Sequence, residues 1–446
     1  MQVTETISDG LKREFKVVVP AADLEAKAND RLVELKERVR INGFRPGKVP
    51  VAHLKRMYGR AAMAEAIEGA VREANAKIVT DRGFKLARDP AVKMPTEEGA
   101  FEQMIAGKSD LAYTVAIEIL PAIELTDFNG IKLEKRVAEV TNEEVEEALN
   151  KLAEQNRPFG SKNGTAAPGD RVKVSFSGTV DGKPFEGGMG EDIVVHLGSG
   201  TFIPGFEDQL VGVTAGDTRT VNVTFPQSYP VAHLAGKAAV FEVAANTVET
   251  PGTVTIDDAF AKSLGLDSLA KLKEMVKDRI AQEHAVISRQ RLKRVLLDEL
   301  DAVHKFALPP TMIEDEFANV WQTVIGELEA QKRTFADEGT TEEAAKVEYR
   351  AIAERRVRLG LVLAEIGERN NIKVTDEELT RAVVEQTRRL PGKEKEVWDH
   401  YRNNPEAVAS LRAPIFEDKV VDFILELAQV IEKTVSREQL YKGDEA

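Results

Sequence analysis

Cysteine is absent from the 446 residues, which excludes disulfide bridges, thiol nucleophiles and thiolate metal sites. Histidine is scarce. The six, His53, His196, His233, His284, His304 and His400, never fall at the i, i+4 spacing that lets one helix hold zinc, so no metal site is expected. Long apolar runs are also missing: no stretch approaches the ~20 residues that cross a bilayer. The start, Met1-Gln2-Val3-Thr4-Glu5-Thr6, has neither the basic segment nor the apolar core of a secretory signal, so a cytoplasmic chain with no membrane partner is expected. Neither a Gly-x-Ser-x-Gly elbow nor a Rossmann glycine pattern occurs, and acidic residues are too numerous for one pair to stand out as a catalytic dyad.

What is present is charge, length and changing periodicity. At 446 residues the chain exceeds one hydrophobic core, and a prior of about 150 residues per domain gives roughly three. The formal charge of −14 disfavours nonspecific nucleic-acid binding by the whole surface. Between Arg31 and Arg60, however, nine Lys and Arg face two acids, Glu34 and Glu37, a local net of +7 suited to an anion. At its centre lies Gly43-Phe44-Arg45-Pro46-Gly47-Lys48. This faintly echoes a phosphate-cradling loop, but its glycines are one residue too close and Val49 lacks the hydroxyl that holds magnesium. No nucleotide or other cofactor is therefore expected.

The first segment reads as an α+β head. Ser8-Asp9-Gly10 suggests a turn between strands at Val3 to Ile7 and Phe15 to Val19, and Pro20 ends the second. Leu24, Ala28, Leu32, Leu35 and Val39 recur at helical spacing, and the Ala-rich stretch from Ala61 to Arg82 forms a second helix stopped by Gly83. Strand-like pieces around Phe101 and from Leu111 to Leu120 close the head before Pro121. In the connector, Thr141 and Glu144 fit a helix capping box. Past the Gly/Pro/Ser/Asn-rich stretch from Pro158 to Gly169, alternation takes over in Val172/Val174/Phe176, Val221/Val223/Phe225 and Phe241/Val243. After Pro251-Gly252 the period returns to helical, first through Leu269, Leu272, Val276 and Ile280, later through Leu292, Val295, Leu296 and Leu300. Pro309-Pro310, a cap at Thr375 to Glu378, Pro391-Gly392, Pro405 and Pro414 punctuate the remaining helices. Ile313, Phe317, Val320, Trp321, Val324 and Leu328 stripe one of them.

The run Val172 to Glu186, then Leu197-Gly198, Phe202-Ile203-Pro204-Gly205-Phe206-Glu207, Phe225-Pro226 with Tyr229, and Phe241-Glu242-Val243 resembles FKBP-type prolyl isomerases over roughly ninety residues. The resemblance implies catalytic-pocket roles for Phe185, Glu186, Ile203, Phe206, Tyr229 and Phe241, with Phe206 as floor, Ile203, Phe185 and Phe241 as walls, and the Tyr229 hydroxyl bonding the substrate backbone. Such a site needs no nucleophile. Peptide resonance sets a barrier of ~18–20 kcal/mol, and an apolar pocket favours the twisted amide in which conjugation is reduced. Phe206, Phe176 and Glu186 stand where that family often carries Trp, Tyr and Asp, so tight macrolide binding is not implied.

Taken together, the head with its basic loop, the FKBP-like insert and the long helical remainder resemble the trigger factor family of bacterial ribosome-associated chaperones along the whole chain. The fold class implied is multidomain α+β: a ribosome-binding head at 1–113, a connector at 114–157, an FKBP-like β-sheet domain with a short helix at 158–250, and a mostly α-helical chaperone domain at 251–446. The partners implied are nascent and unfolded polypeptides and the ribosome near its exit tunnel, through ribosomal protein and RNA, with a monomer–dimer equilibrium off the ribosome. In that setting Gly43, Phe44, Arg45, Pro46, Gly47 and Lys48 form the ribosome-binding loop: Phe44 is the apolar anchor, Arg45 and Lys48 the cations, and the glycines and Pro46 the shapers. Two other readings stay open from the residues themselves, a dedicated prolyl isomerase whose helices recruit one partner and a chaperone with an inactive isomerase domain.

Overall fold

Proline and glycine set the limits of the first elements. In the computed structural model, which describes residues 1–39, 44, 48–95, 100–227, 229, 231 and 233–442, strands β1 (Gln2–Asp9) and β2 (Lys12–Val19) form a hairpin. Its turn is Gly10-Leu11, one step later than the sequence suggests, with Gly10 at φ +53°, the left-handed conformation that two-residue hairpin turns require. Pro20 precedes helix α1 (Ala21–Arg38) and Pro50 precedes α2 (Val51–Arg82). Proline has no N–H to lose there, so it suits the start of a helix. Helix α2 therefore begins ten residues before the alanine-rich stretch, and it ends as expected at Gly83, φ +63°.

The short β3 (Ala91–Lys93) is followed by α3 (Ala100–Ile105), which corrects the strand expected around Phe101. Within it Met104 is buried in the head core and Ile105 packs against that core. Strand β4 (Leu111–Glu118) completes an antiparallel sheet in the order β1-β2-β4-β3. It pairs with β2 along its length, so it runs past position 113. Phe15, Val17 and Val19 of β2 and Leu111, Tyr113, Val115 and Ile117 of β4 bury the period-two face against Leu24 and Leu32 of α1 and the Ala62, Ala66, Ala70, Ala74 row of α2.

The chain then continues through β5 (Lys132–Val137) to α4 (Asn142–Gln155), whose capping box at Thr141 and Glu144 is formed. Strands β6 (Phe159–Ser161), β7 (Arg171–Val180), β8 (Lys183–His196), β9 (Thr218–Thr224) and β10 (Ala238–Pro251) form one antiparallel sheet, with helix α5 (Phe206–Leu210) between β8 and β9. β10 is the hub, pairing with β6, β7 and β9. Next come α6 (Asp258–Ser263), the 35-residue α7 (Leu269–Val303), α8 (Pro310–Gln331), α9 (Glu342–Arg369), α10 (Asp376–Arg389), α11 (Glu394–Asn403), α12 (Pro405–Leu427), β11 (Gln429–Thr434), which pairs with β5, and α13 (Arg437–Tyr441).

Two compact units result, Met1–Lys135 with Arg291–Ile431, and Arg136–Gln290 with Glu432–Ala446. In the first, a second core joins Ile123, Phe128 and Leu133 to Leu292, Leu296 and Leu300 of α7, Val362 and Ile366 of α9, and Val420, Val421 and Ile424 of α12. Pro414 lies inside α12 rather than at a break. The helix forgoes one backbone bond there but is anchored beyond it by those three core residues. On α8 the expected stripe is half buried rather than closed off, and the Trp321 ring stacks on Phe335 (5.3 Å) and Phe317 (5.9 Å). Among the described residues no helix is long and apolar enough to cross a membrane.

Candidate functional site

In the second unit the alternation of β10 buries Ala239, Phe241, Val243 and Ala245, and the register sets Phe241 opposite Gly178 and Val243 opposite Phe176 on β7. Gly205, at φ +82°, turns the chain into α5 and delivers Phe206 as its first residue, the Phe206 N–H donating to Ile203 O at 2.9 Å. Phe206 is 2% exposed. Its ring meets Phe241 edge-on at 5.5 Å and Phe176 at 6.2 Å, and stacks with Phe202 at 5.4 Å. Phe185 stands edge-on to Phe241 at 6.0 Å and to Phe225 at 5.8 Å, and Tyr229 follows at 4.6 Å from Phe225. Offset and edge-on rings at these separations attract beyond the area they bury.

Of the expected pocket residues, Phe185, Ile203, Phe206, Tyr229 and Phe241 thus share one cluster, with Phe185, Ile203 and Tyr229 only partly buried at its margin. Glu186 is exposed on β8. Phe176, Phe202 and Phe225 belong to the same cluster, although the sequence reading gave them no wall or floor role. Their signal was present in the alternation of β7 and β9 and in the Phe202-to-Phe206 spacing.

Directly after Phe206 on α5 comes Glu207, which nothing in the sequence singles out. Its carboxylate, on a residue 6% exposed, accepts from the backbone N–H groups of Gly198 (2.9 Å), Gly200 (3.0 Å), Thr201 (2.9 Å) and Phe202 (3.1 Å) and from the Ser199 hydroxyl (3.1 Å). Burial opposes ionisation, but the hydrogen bonds from Phe202, Gly200, Ser199 and Gly198 outweigh it and hold the carboxyl below the usual range. The loop that presents Phe202 and Ile203 is wound around one anion. Chemically, the arrangement is a cluster of apolar rings whose margin, at Phe185, Ile203 and Tyr229, is partly exposed. Among the described residues no group of three or more His, Asp or Glu could hold a metal ion.

The basic segment lies in the other unit. Gly43, Arg45, Pro46 and Gly47 fall outside the described residues; Phe44 is 39% exposed with its ring 5.3 Å from that of His53, and Lys48 is exposed. Space tempers the count of +7. Arg31 pairs with Glu34 and Glu65, Lys55 with Glu25 at 2.7 Å, and Arg60 with Glu102 at 3.4 Å, so acids distant in sequence neutralise part of the stretch.

Comparison with known proteins gives three family matches. Residues 1–152 match the family model described as bacterial trigger factor protein and 268–426 its C-terminal counterpart, while 162–246 match FKBP-type peptidyl-prolyl cis-trans isomerase. Trigger factors from Azorhizobium caulinodans, Xanthobacter autotrophicus and a Bradyrhizobium species are 62%, 60% and 59% identical, each over 100% of this chain and 99% of its own length. A solved structure of a trigger factor chaperone, described under promiscuous substrate recognition in folding and assembly activities, shares the fold with a TM-score of 0.57 at 21% identity, over 96% of this chain and 99% of that one. Full-length identity at this level, joined to the matched domains at both ends and the FKBP-type domain between them, establishes that the chain belongs to the trigger factor family.

Proposed function

We propose that this chain is an ATP-independent cytoplasmic chaperone that docks at the ribosome exit tunnel, holds nascent polypeptides and catalyses cis/trans isomerisation of X-Pro bonds. The ring cluster around Phe206 supports the isomerase part of the reading, because Phe185, Ile203, Tyr229 and Phe241, to which the family resemblance gives pocket roles, all belong to it. Phe185, Ile203, Phe206 and Phe241 grip the proline ring, Tyr229 bonds the substrate backbone, and Glu186 acts from the rim. The half-buried stack of Phe317, Trp321 and Phe335 supports the holding part, since exposed ring edges suit weak contact with unfolded segments. In this reading 1–113 is the ribosome-binding head, 114–157 the connector, 158–250 the isomerase and 251–446 the chaperone domain, and the free protein exchanges between monomer and weak dimer.

Docking is assigned to Gly43, Phe44, Arg45, Pro46, Gly47 and Lys48. The exposed Phe44 and Lys48 support this, as does the surplus of cations around them. Co-sedimentation with ribosomes tests it. Changing Phe44, Arg45 and Lys48 together to Ala is expected to weaken binding about tenfold or more, and wild-type binding is expected to fall as salt rises because ionic contacts are screened. A triple variant that sediments as well as wild type would remove the docking assignment.

A further inference from the structure

Two kinds of glycine contrast in the FKBP-type domain. Gly182, Gly187, Gly198, Gly200, Gly205, Gly212 and Gly216 have positive φ, and an added Cβ would meet nothing within 4 Å. Gly178 and Gly188 are the reverse. Their backbones do not need glycine, but their space does: a Cβ on Gly178 would lie 2.7 Å from Phe241 Cδ1, closer still to Cε1, and 3.1 Å from Gly188 O. A Cβ on Gly188 would lie 3.0 Å from Gly178 O and 3.0 Å from both Cε1 and Cζ of Phe185. Both glycines are buried. Gly190 is crowded too, by Ile193 Cγ1 and Phe176 Cζ at 2.9 Å, but its nearest neighbours include neither Phe185 nor Phe241.

The register explains the crowding. Thr179 faces Pro184 and Ser177 faces Met189, so Gly178 alone stands opposite the four residues Phe185 to Gly188. That bulge carries the Phe185 ring towards Phe241, and Phe241 lies across the next strand pair from the same Gly178. Two walls of the recess therefore rest on one side-chain-free spot.

We propose that Gly178 and Gly188 are positioning residues for prolyl isomerisation, forming a notch that seats the Phe241 ring and brings the Phe185 bulge against it. The inference rests on the isomerase reading above. A methyl group at Gly178 pushes the Phe241 ring or the bulge outward by roughly 1 Å, a displacement that costs catalysis when the walls must enclose a rotating amide.

The test measures prolyl-peptide isomerisation by the full chain, with thermal unfolding in parallel, for wild type, Gly178→Ala, Gly188→Ala and Gly160→Ala. Gly160 lies in the same sheet with open space around it and is the control. Gly178→Ala is expected to lose about tenfold in activity, mainly in kcat rather than KM, and Gly160→Ala none. Phe241→Leu frees the room that the methyl group needs, so adding Gly178→Ala to it is expected to change activity by less than about twofold. Should Gly178→Ala fail to fold, the smaller intrusion of Gly188→Ala decides in the same way. Folded notch variants with wild-type kcat, or full additivity with Phe241→Leu, overturn the inference alone. An inactive wild type overturns the isomerase reading, and this inference with it.

Discussion

Phe206→Ala is expected to lower kcat/KM for a prolyl substrate by about a hundredfold, because a buried ring contributes roughly 1.5–3 kcal/mol and each 1.36 kcal/mol is tenfold in rate. The ring touches Phe176, Phe202 and Phe241 at once, so its removal takes away the proposed floor and frees the Phe241 wall. It also leaves a cavity, and Phe→Ala at a core site costs about 3–5 kcal/mol of stability. Phe206→Leu separates the two effects. It keeps most of the volume, costs under about 1.5 kcal/mol and still removes the aromatic face, so an intermediate loss of activity is expected in a folded protein. Isomerisation unchanged in folded Phe206→Leu and Phe206→Ala would show that the floor lies elsewhere.

Glu207→Ala is expected to destabilise the FKBP-type domain by about 4 kcal/mol. Four backbone N–H groups and one hydroxyl lose a shared charged acceptor, and the loop at 198–202 has no second anchor of that kind among the described residues. Glu207→Gln keeps the shape but turns one acceptor into a donor facing other donors, so a smaller loss is expected. The pH dependence has a definite sign. With its folded pKa held below the ordinary 4.5, the carboxylate stabilises the fold fully above about pH 4.5, and this contribution disappears as pH falls through the folded value. Thermal unfolding across the acid range is expected to show a shallower limb for Glu207→Gln than for wild type. Parallel acid limbs would mean that the cage is not ionised as its geometry requires.

Legibility in the sequence follows locality. Thr141, Thr375 and Gly83 were readable because a cap is settled within a few residues, and β7, β9 and β10 because alternation registers burial directly. The six-residue α3 was read as a strand because so short an apolar run fits either period. Pro414 was read as a break because the core that holds α12 together comes from residues scattered between positions 123 and 424. In the recess the rings were legible by type and spacing. Glu207 was not, because beside Phe206 it reads as one more surface acid until the loop from Gly198 to Phe202 folds back upon it. The same holds for Gly178, whose need for room arises only when β8 bulges and β10 pairs alongside.

The way the cores are assembled from the chain bears on how this protein is itself made. The head core draws on residues between Phe15 and Ile117 and the FKBP-type core on residues between Ala166 and Val248, so each can close once its own stretch has been synthesised. The helical core cannot, since Ile123, Phe128 and Leu133 must wait for Val420, Val421 and Ile424. Through the translation of almost 300 intervening residues these early apolar side chains lack their final partners. A member of the trigger factor family thus passes through an exposed interval of its own while it is being made.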